Sequence, residues 1–127
     1  MNLTTTYLGL TLDNPLVASA SPLGRTVDGV RQLADAGVAA VVLPSLFEEQ
    51  VRREAERDAQ LAEAGAESFA ESLSYLPDPG GEGGPRRYLD LVSRATAAVG
   101  IPVIASLNGV TAGGWTDYAA AMQKAGA

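Results

Sequence analysis

The sequence predicts an α/β fold in which parallel strands alternate with helices, as in a section of a barrel. Three continuous apolar runs, near residues 16–20, 38–43 and 102–107, have the length and β-branching of buried strands. Each is followed by a stripe of apolar residues at helical spacing, near 27–36, 86–99 and 116–125. Helix-to-strand joins recur as Ala36-Gly37, Val99-Gly100 and Ala125-Gly126, and the first two lead directly into strands. Alternating strand and helix implies parallel strands joined by right-handed crossovers. Three strands cannot close a barrel, which takes eight strands and about 250 residues. An open flavodoxin-like sheet is the structural alternative.

Taken in order, Thr4 to Leu8 is β-branched and aromatic, Leu10-Thr11-Leu12 alternates, and Gly9 between them can take a positive φ. This reads as a small hairpin, suited to plug the bottom of a barrel. Asp13-Asn14-Pro15 is a turn signal. It opens the first strand, whose exit is built from small residues, Ser19-Ala20-Ser21, before Pro22 and Gly24. A strand that ends in small residues lets a ligand approach the backbone; an ordinary tight turn has the same composition. Thr26 can cap the first helix, with Asp28 in its first turn and Val30, Leu33, Ala34 and Gly37 along one stripe. Val38 to Leu43 is the second strand, with Pro44 and Ser45 read as its end.

Between Phe47 and Pro85 the pattern changes. Glu48 to Glu71 is rich in Glu, Arg and Ala, with only Val51, Ala55 and Ala62 as a thin apolar stripe. One or two mostly exposed helices are expected, forming a solvated face, a lid or a dimer contact. Asp78 to Pro85 is a Gly- and Pro-rich loop. It is no phosphate loop, because no Gly-Lys-Ser or Gly-Lys-Thr follows and Asp78 and Glu82 repel phosphate. Tyr88, Leu91, Val92, Ala95 and Val99 form the next helical stripe. Pro102 to Leu107 is the third strand, released by Asn108-Gly109, and Thr116 can cap a last helix carrying Tyr118, Met122 and Ala125.

Composition narrows the chemistry. The 127 residues are 46% hydrophobic and carry a net charge of −6, with no Cys and no His. Disulfides, thiolate metal sites, Cys nucleophiles and His-dependent triads are therefore absent from this chain, and no metal site is expected. No basic run favours nucleic acid. No apolar stretch nears the ~20 residues that cross a bilayer, and the polar start is unlike a secretion signal, so no membrane partner and a cytoplasmic location are expected.

The order of the segments resembles the N-terminal part of the dihydroorotate dehydrogenase family, and within it the uncharacterised dihydroorotate dehydrogenase-like bacterial members. The resemblance is carried by Thr5-Thr6-Tyr7-Leu8-Gly9-Leu10, Asn14 to Pro22, Asp35-Ala36-Gly37, Ser45-Leu46-Phe47-Glu48-Glu49-Gln50 and Pro102 to Gly109. It runs over nearly the whole chain and covers about the first three of the family's eight βα units. It implies that residues 1–127 are the N-terminal part of a TIM barrel, a hairpin plus three βα units, ending before a fourth strand. It also implies an FMN-dependent oxidoreductase acting on a small substrate, pyrimidine-related in the type members, with a homodimer as the expected assembly. Ser19, Ala20 and Ser21 match the positions that lie against the flavin ring, and a flat ring needs small residues beneath it.

Three departures bear on that implication. A Lys that contacts flavin near the end of the family's second strand has no counterpart here; the chain's single Lys is Lys124, and Ser45 is the nearest polar substitute. The family's substrate loop uses asparagines around a Leu-Pro pair, whereas this one reads Ser72-Leu73-Ser74-Tyr75-Leu76-Pro77-Asp78. Ser74, Asp78 and Asn108 are the candidate substrate contacts, and an Asp beside a carboxylate substrate argues against orotate. The catalytic Cys or Ser follows the family's fourth strand, so no catalytic residue is assigned within this chain, and the chain by itself is expected to be inactive. The other function class left open is a non-catalytic part-barrel that binds or assembles with another chain.

Overall fold

The structure, a computed structural model, describes residues 1–67, 84–109, 111 and 115–127. Strands β1 (Thr5–Tyr7) and β2 (Leu10–Leu12) form the expected antiparallel hairpin. Its tight turn places both Leu8 (φ 51°) and Gly9 (φ 75°) in the left-handed region. Two consecutive positive φ angles suit the right-handed twist of a two-residue hairpin. Strand β3 (Val17–Ala18) is shorter than the apolar run suggested. Asn14 fixes its entry: the side-chain oxygen accepts from Leu16 N–H at 2.9 Å, and the amide donates to the Gly37 carbonyl at 3.1 Å.

A single 3-10 turn (Pro22–Arg25) leads into α1 (Val27–Asp35). Thr26 caps α1 as expected, its Oγ1 accepting from Gly29 N–H at 3.0 Å. Gly29 is required by packing, since a Cβ there would stand 1.8 Å from the Leu23 carbonyl oxygen. Gly37, at φ 96°, reverses the chain after the helix.

Strand β4 (Ala40–Phe47) runs through Pro44 and Ser45 instead of ending there. Its ladder with β5 (Val103–Asn108) is parallel but slips: Val42 pairs with Ile104, and the next pair is Ser45 with Ser106. Three steps along β4 thus match two along β5, and Pro44, which has no N–H to contribute, falls inside this bulge. The extra residue also resets the alternation. Val41, Leu43 and Leu46 are all buried in the main core with Val103, while Ala40 and Ile104 belong to the opposite face.

Helix α2 (Glu48–Glu67) occupies the described part of the Glu- and Ala-rich segment, where one or two mostly exposed helices are expected. Val51 packs against the core, but Ala55 is exposed, so the thin stripe seats only the start of the helix. Arg86 joins α2 to α3 (Pro85–Ala98) through Asp58 at 2.7 Å and Glu54 at 3.7 Å. On α3, Tyr88, Val92 and Ala95 are buried, as their spacing predicts. Helix α4 (Trp115–Ala125) begins one residue before Thr116, which therefore lies inside its first turn, and buries Met122.

The three parallel strands take the order β3-β4-β5. Helix α1 packs beside α3, and α3 beside α4. Their buried side chains join Val30, Val41, Leu43, Val92, Val103 and Met122 in one core. Leu12 of the hairpin packs instead with Ala39 and Ala40, where β4 starts. The hairpin therefore closes the end at which the strands begin, and the ends at which they finish face the other way.

Candidate functional site

The strand exits gather at one end of the sheet. Ser19 and Ala20 follow β3 and are exposed; Ser21 is half-buried. The register Ala18↔Val41 brings Ser19 out at the level of Val42. Ser21 flanks the 3-10 turn without using its hydroxyl as a cap, while its carbonyl accepts from Gly24 N–H at 3.0 Å. Gly24 lets this turn lie close on β4, since a Cβ there would be 3.2 Å from Pro44 Cδ. The first exit is thus held against the second strand by backbone packing, and its small side chains stay accessible.

Ser45 and Ser106, on adjacent strands, share a hydrogen bond of 2.6 Å between their hydroxyls. The bulge makes this pair possible. Without the extra residue, regular alternation would put Ser45 on the face opposite Val42. Tyr88 supports the pair from the helix layer. Its hydroxyl accepts from Ser106 N–H at 2.9 Å and donates to the Ser106 carbonyl at 3.2 Å. Burial pushes the Tyr88 phenol above its ordinary value, and the bond from Ser106 N–H opposes that rise. Tyr88 is therefore a neutral hydrogen-bonding group at physiological pH.

Asn108 closes β5, paired in register with Phe47 at the end of β4, and both are exposed. Just beyond, Glu48 receives hydrogen bonds from Thr111 N–H (3.2 Å) and from the Thr111 hydroxyl. The Trp115 indole N–H donates to the Thr111 carbonyl at 2.5 Å. Its ring lies over Gly109, where any Cβ would overlap it. The start of α2 is thus tied to the connection between β5 and α4.

Among the residues singled out from sequence, Ser45 meets Ser106, and Asn108 stands at the same end of the sheet. Ser19, Ala20 and Ser21 leave the neighbouring strand at a lower level. Ser74, Asp78 and the Gly-rich loop lie outside the described residues. The Tyr88 hydroxyl and the Glu48–Thr111–Trp115 tie carry no sequence signal of their own. Tyr88 sits in an apolar stripe that accounts for its ring, and Glu48 and Thr111 are joined across 63 positions.

The exits can accept a flat group: small side chains line the first, and hydroxyl and amide groups end the other two. Among Ser19, Ala20, Ser21, Ser45, Ser106 and Asn108 there is no charged side chain. Small side chains at the first exit leave room for a flat ring such as a flavin, the groups at the other two exits are neutral hydrogen-bonding groups, and Arg25 and Arg87 line the cleft beside Ser45. Among the described residues, no cluster of three or more carboxylates could hold a metal ion, and no helix is long and apolar enough to cross a membrane. No family model, curated protein or solved structure matches the chain.

Proposed function

We propose that the chain contributes the first three βα units of a TIM-barrel, FMN-dependent oxidoreductase of the dihydroorotate dehydrogenase-like type. The observation that carries this reading is the polarity of the sheet. One end is closed by the hairpin through Leu12, and the other presents small and neutral polar residues on three consecutive parallel strand exits. The strand order is sequential and the helices lie side by side, which favours a barrel section over a doubly wound sheet with helices on both faces.

In this reading Ser19, Ala20 and Ser21 form the floor beneath the flavin. Ser45, held by Ser106, presents a hydroxyl at its edge, and Asn108 faces substrate. Bound flavin supplies the hydride chemistry, and the chain's own residues position it and shield one face. With no Lys at the second exit and Asp78 in the substrate loop, the preferred substrate is small and not orotate.

The test is Ala20→Phe in protein expressed from the complete reading frame. The parent should purify with bound FMN; the variant should lose it while its circular dichroism spectrum is unchanged, because Ala20 is exposed and supports no core contact. A folded parent without flavin would sink the enzyme reading and leave a binding or assembly module. Oxidation of dihydroorotate at about 1 s⁻¹ or faster would overturn the substrate assignment alone.

A further inference from the structure

We propose that the free edge of β1 is an interface between two copies of the chain, which pair antiparallel about a two-fold axis at Thr6. The pairing of β1 with β2 leaves that edge equipped for it. In a hairpin with a two-residue turn the flanking residues bond each other, and bonded and non-bonded pairs then alternate. Tyr7 with Leu10 and Thr5 with Leu12 are therefore bonded pairs, and Thr6 with Thr11 is not. The Thr6 N–H and C=O point away from β2, and among the described residues no backbone group pairs with them. One donor and one acceptor on the same residue complement themselves. A two-fold at Thr6 makes two N–H···O=C bonds, one in each direction.

Charge selects a second copy as the occupant. The chain holds 15 acidic and 9 basic residues, and none lies within residues 1–12. At a net charge of −6 two copies repel each other, and pairing at the hairpin brings no like charges together. Edge strands are ordinarily guarded by a charge, a proline or a bulge. Thr5-Thr6-Tyr7 has none of these, whereas the β2 edge around Thr11 runs into Asp13 and Pro15.

Leu8 points the same way independently. Its φ of 51° is the conformation that Gly, Asn and Asp tolerate best, and its side chain is 67% exposed. Within one copy it is strained and buries little. The register about Thr6 sets Leu3 and Thr4 of one copy beside the Leu8–Gly9 turn of the other, so Leu3, itself 51% exposed, and Leu8 cover each other. Of the nine large apolar side chains exposed among the described residues, six lie in residues 1–16, so apolar surface concentrates around this edge. The hairpin sits at the end of the sheet remote from the strand exits, and the interface does not rest on the flavin reading.

The test is sedimentation equilibrium of the 127-residue chain from about 10 µM to about 1 mM. The edge is short, so a weak dimer with a Kd of about 100 µM is expected. Rising concentration should slow hydrogen exchange at the Thr6 amide and leave Thr11 unchanged. Thr6→Lys sets two like charges opposite each other at the axis and should weaken association roughly fivefold. The Thr6 side chain is exposed, so the melt of the dilute monomer should not change. Leu8→Asn should weaken association about tenfold while raising the Tm of the dilute monomer, which separates loss of the interface from loss of fold. Leu61→Asn, at an exposed leucine on α2, should leave the Kd within about twofold. A chain still monomeric at about 1 mM would overturn the proposal. So would a dimer whose Kd Thr6→Lys leaves unchanged, the result expected of contact through the open edges of β3 and β5. Equal weakening by Leu8→Asn and Leu61→Asn would overturn it too, since that is the mark of non-specific apolar adhesion.

Discussion

Tyr88→Phe isolates the contact on which the strand-end geometry rests. The substitution keeps the ring, which is 7% exposed, so no cavity opens in the core. It removes one hydroxyl that serves two backbone groups, Ser106 N–H at 2.9 Å and Ser106 C=O at 3.2 Å. A net hydrogen bond is worth about 0.5–1.5 kcal/mol, and a buried group left unpaired costs about 1–3 kcal/mol. Ser106 is only half-buried, so water recovers part of the loss, and the expected cost is about 2 kcal/mol. For a domain of this size that is roughly 6–10 °C in Tm.

The alkaline limb of stability gives a second readout. The folded pKa of Tyr88 lies above its unfolded value of 10.0. The unfolded chain therefore releases this proton first as pH rises. The stabilisation is fully present below the unfolded pKa and is lost as pH climbs through the folded one. Wild type should lose more stability than Tyr88→Phe above pH 10.0, the other tyrosines cancelling in the comparison. Urea denaturation of both proteins between neutral and alkaline pH measures both effects. A variant within about 0.3 kcal/mol of wild type at neutral pH, with the same alkaline slope, would refute the assigned role of the hydroxyl.

Three further substitutions test other parts of the fold. Gly29→Ala gains up to about 1 kcal/mol in helix propensity but drives a Cβ to 1.8 Å from the Leu23 carbonyl, so a net loss of about 1–2 kcal/mol is expected in urea melts, and an unchanged midpoint would count against the packing. Leu8→Asn should stabilise by about 0.5–1 kcal/mol, because Asn tolerates the φ of 51° and Leu8 is already two-thirds exposed; a lower Tm would contradict the turn assignment. Arg86→Ala should cost less than about 1 kcal/mol at low salt and nothing at 1 M NaCl, since Arg86 is 78% exposed; a large, salt-independent loss would mean that its contacts with α2 are more than a screened surface pair.

The alternation of strands and helices was legible because each element carries its own period. Val30 on α1 and the Tyr88–Val92–Ala95 stripe on α3 are buried where spacing places them. The path of β4 was not. A proline inside an apolar run reads as a strand end, and only the slipped pairing with β5 lets the strand continue past it. The same limit applies to the site. Ser45 and Ser106 could each be singled out as polar residues at a strand exit. Their 2.6 Å contact, made across 61 positions, depends on a bulge that no local pattern announces. The Tyr88 hydroxyl is hidden for a related reason: an aromatic residue in an apolar stripe already satisfies the pattern with its ring.

The hairpin that seats Leu12 against Ala39 and Ala40 separates two kinds of evolutionary freedom. Substitutions at that closed end act on packing and are tolerated only when shape is kept. Substitutions at Ser19, Ala20 or Asn108 alter exposed side chains at the ends of β3 and β5 and leave their pairing with β4 in place. The side-chain chemistry of the open end can therefore drift one residue at a time while the scaffold stays the same.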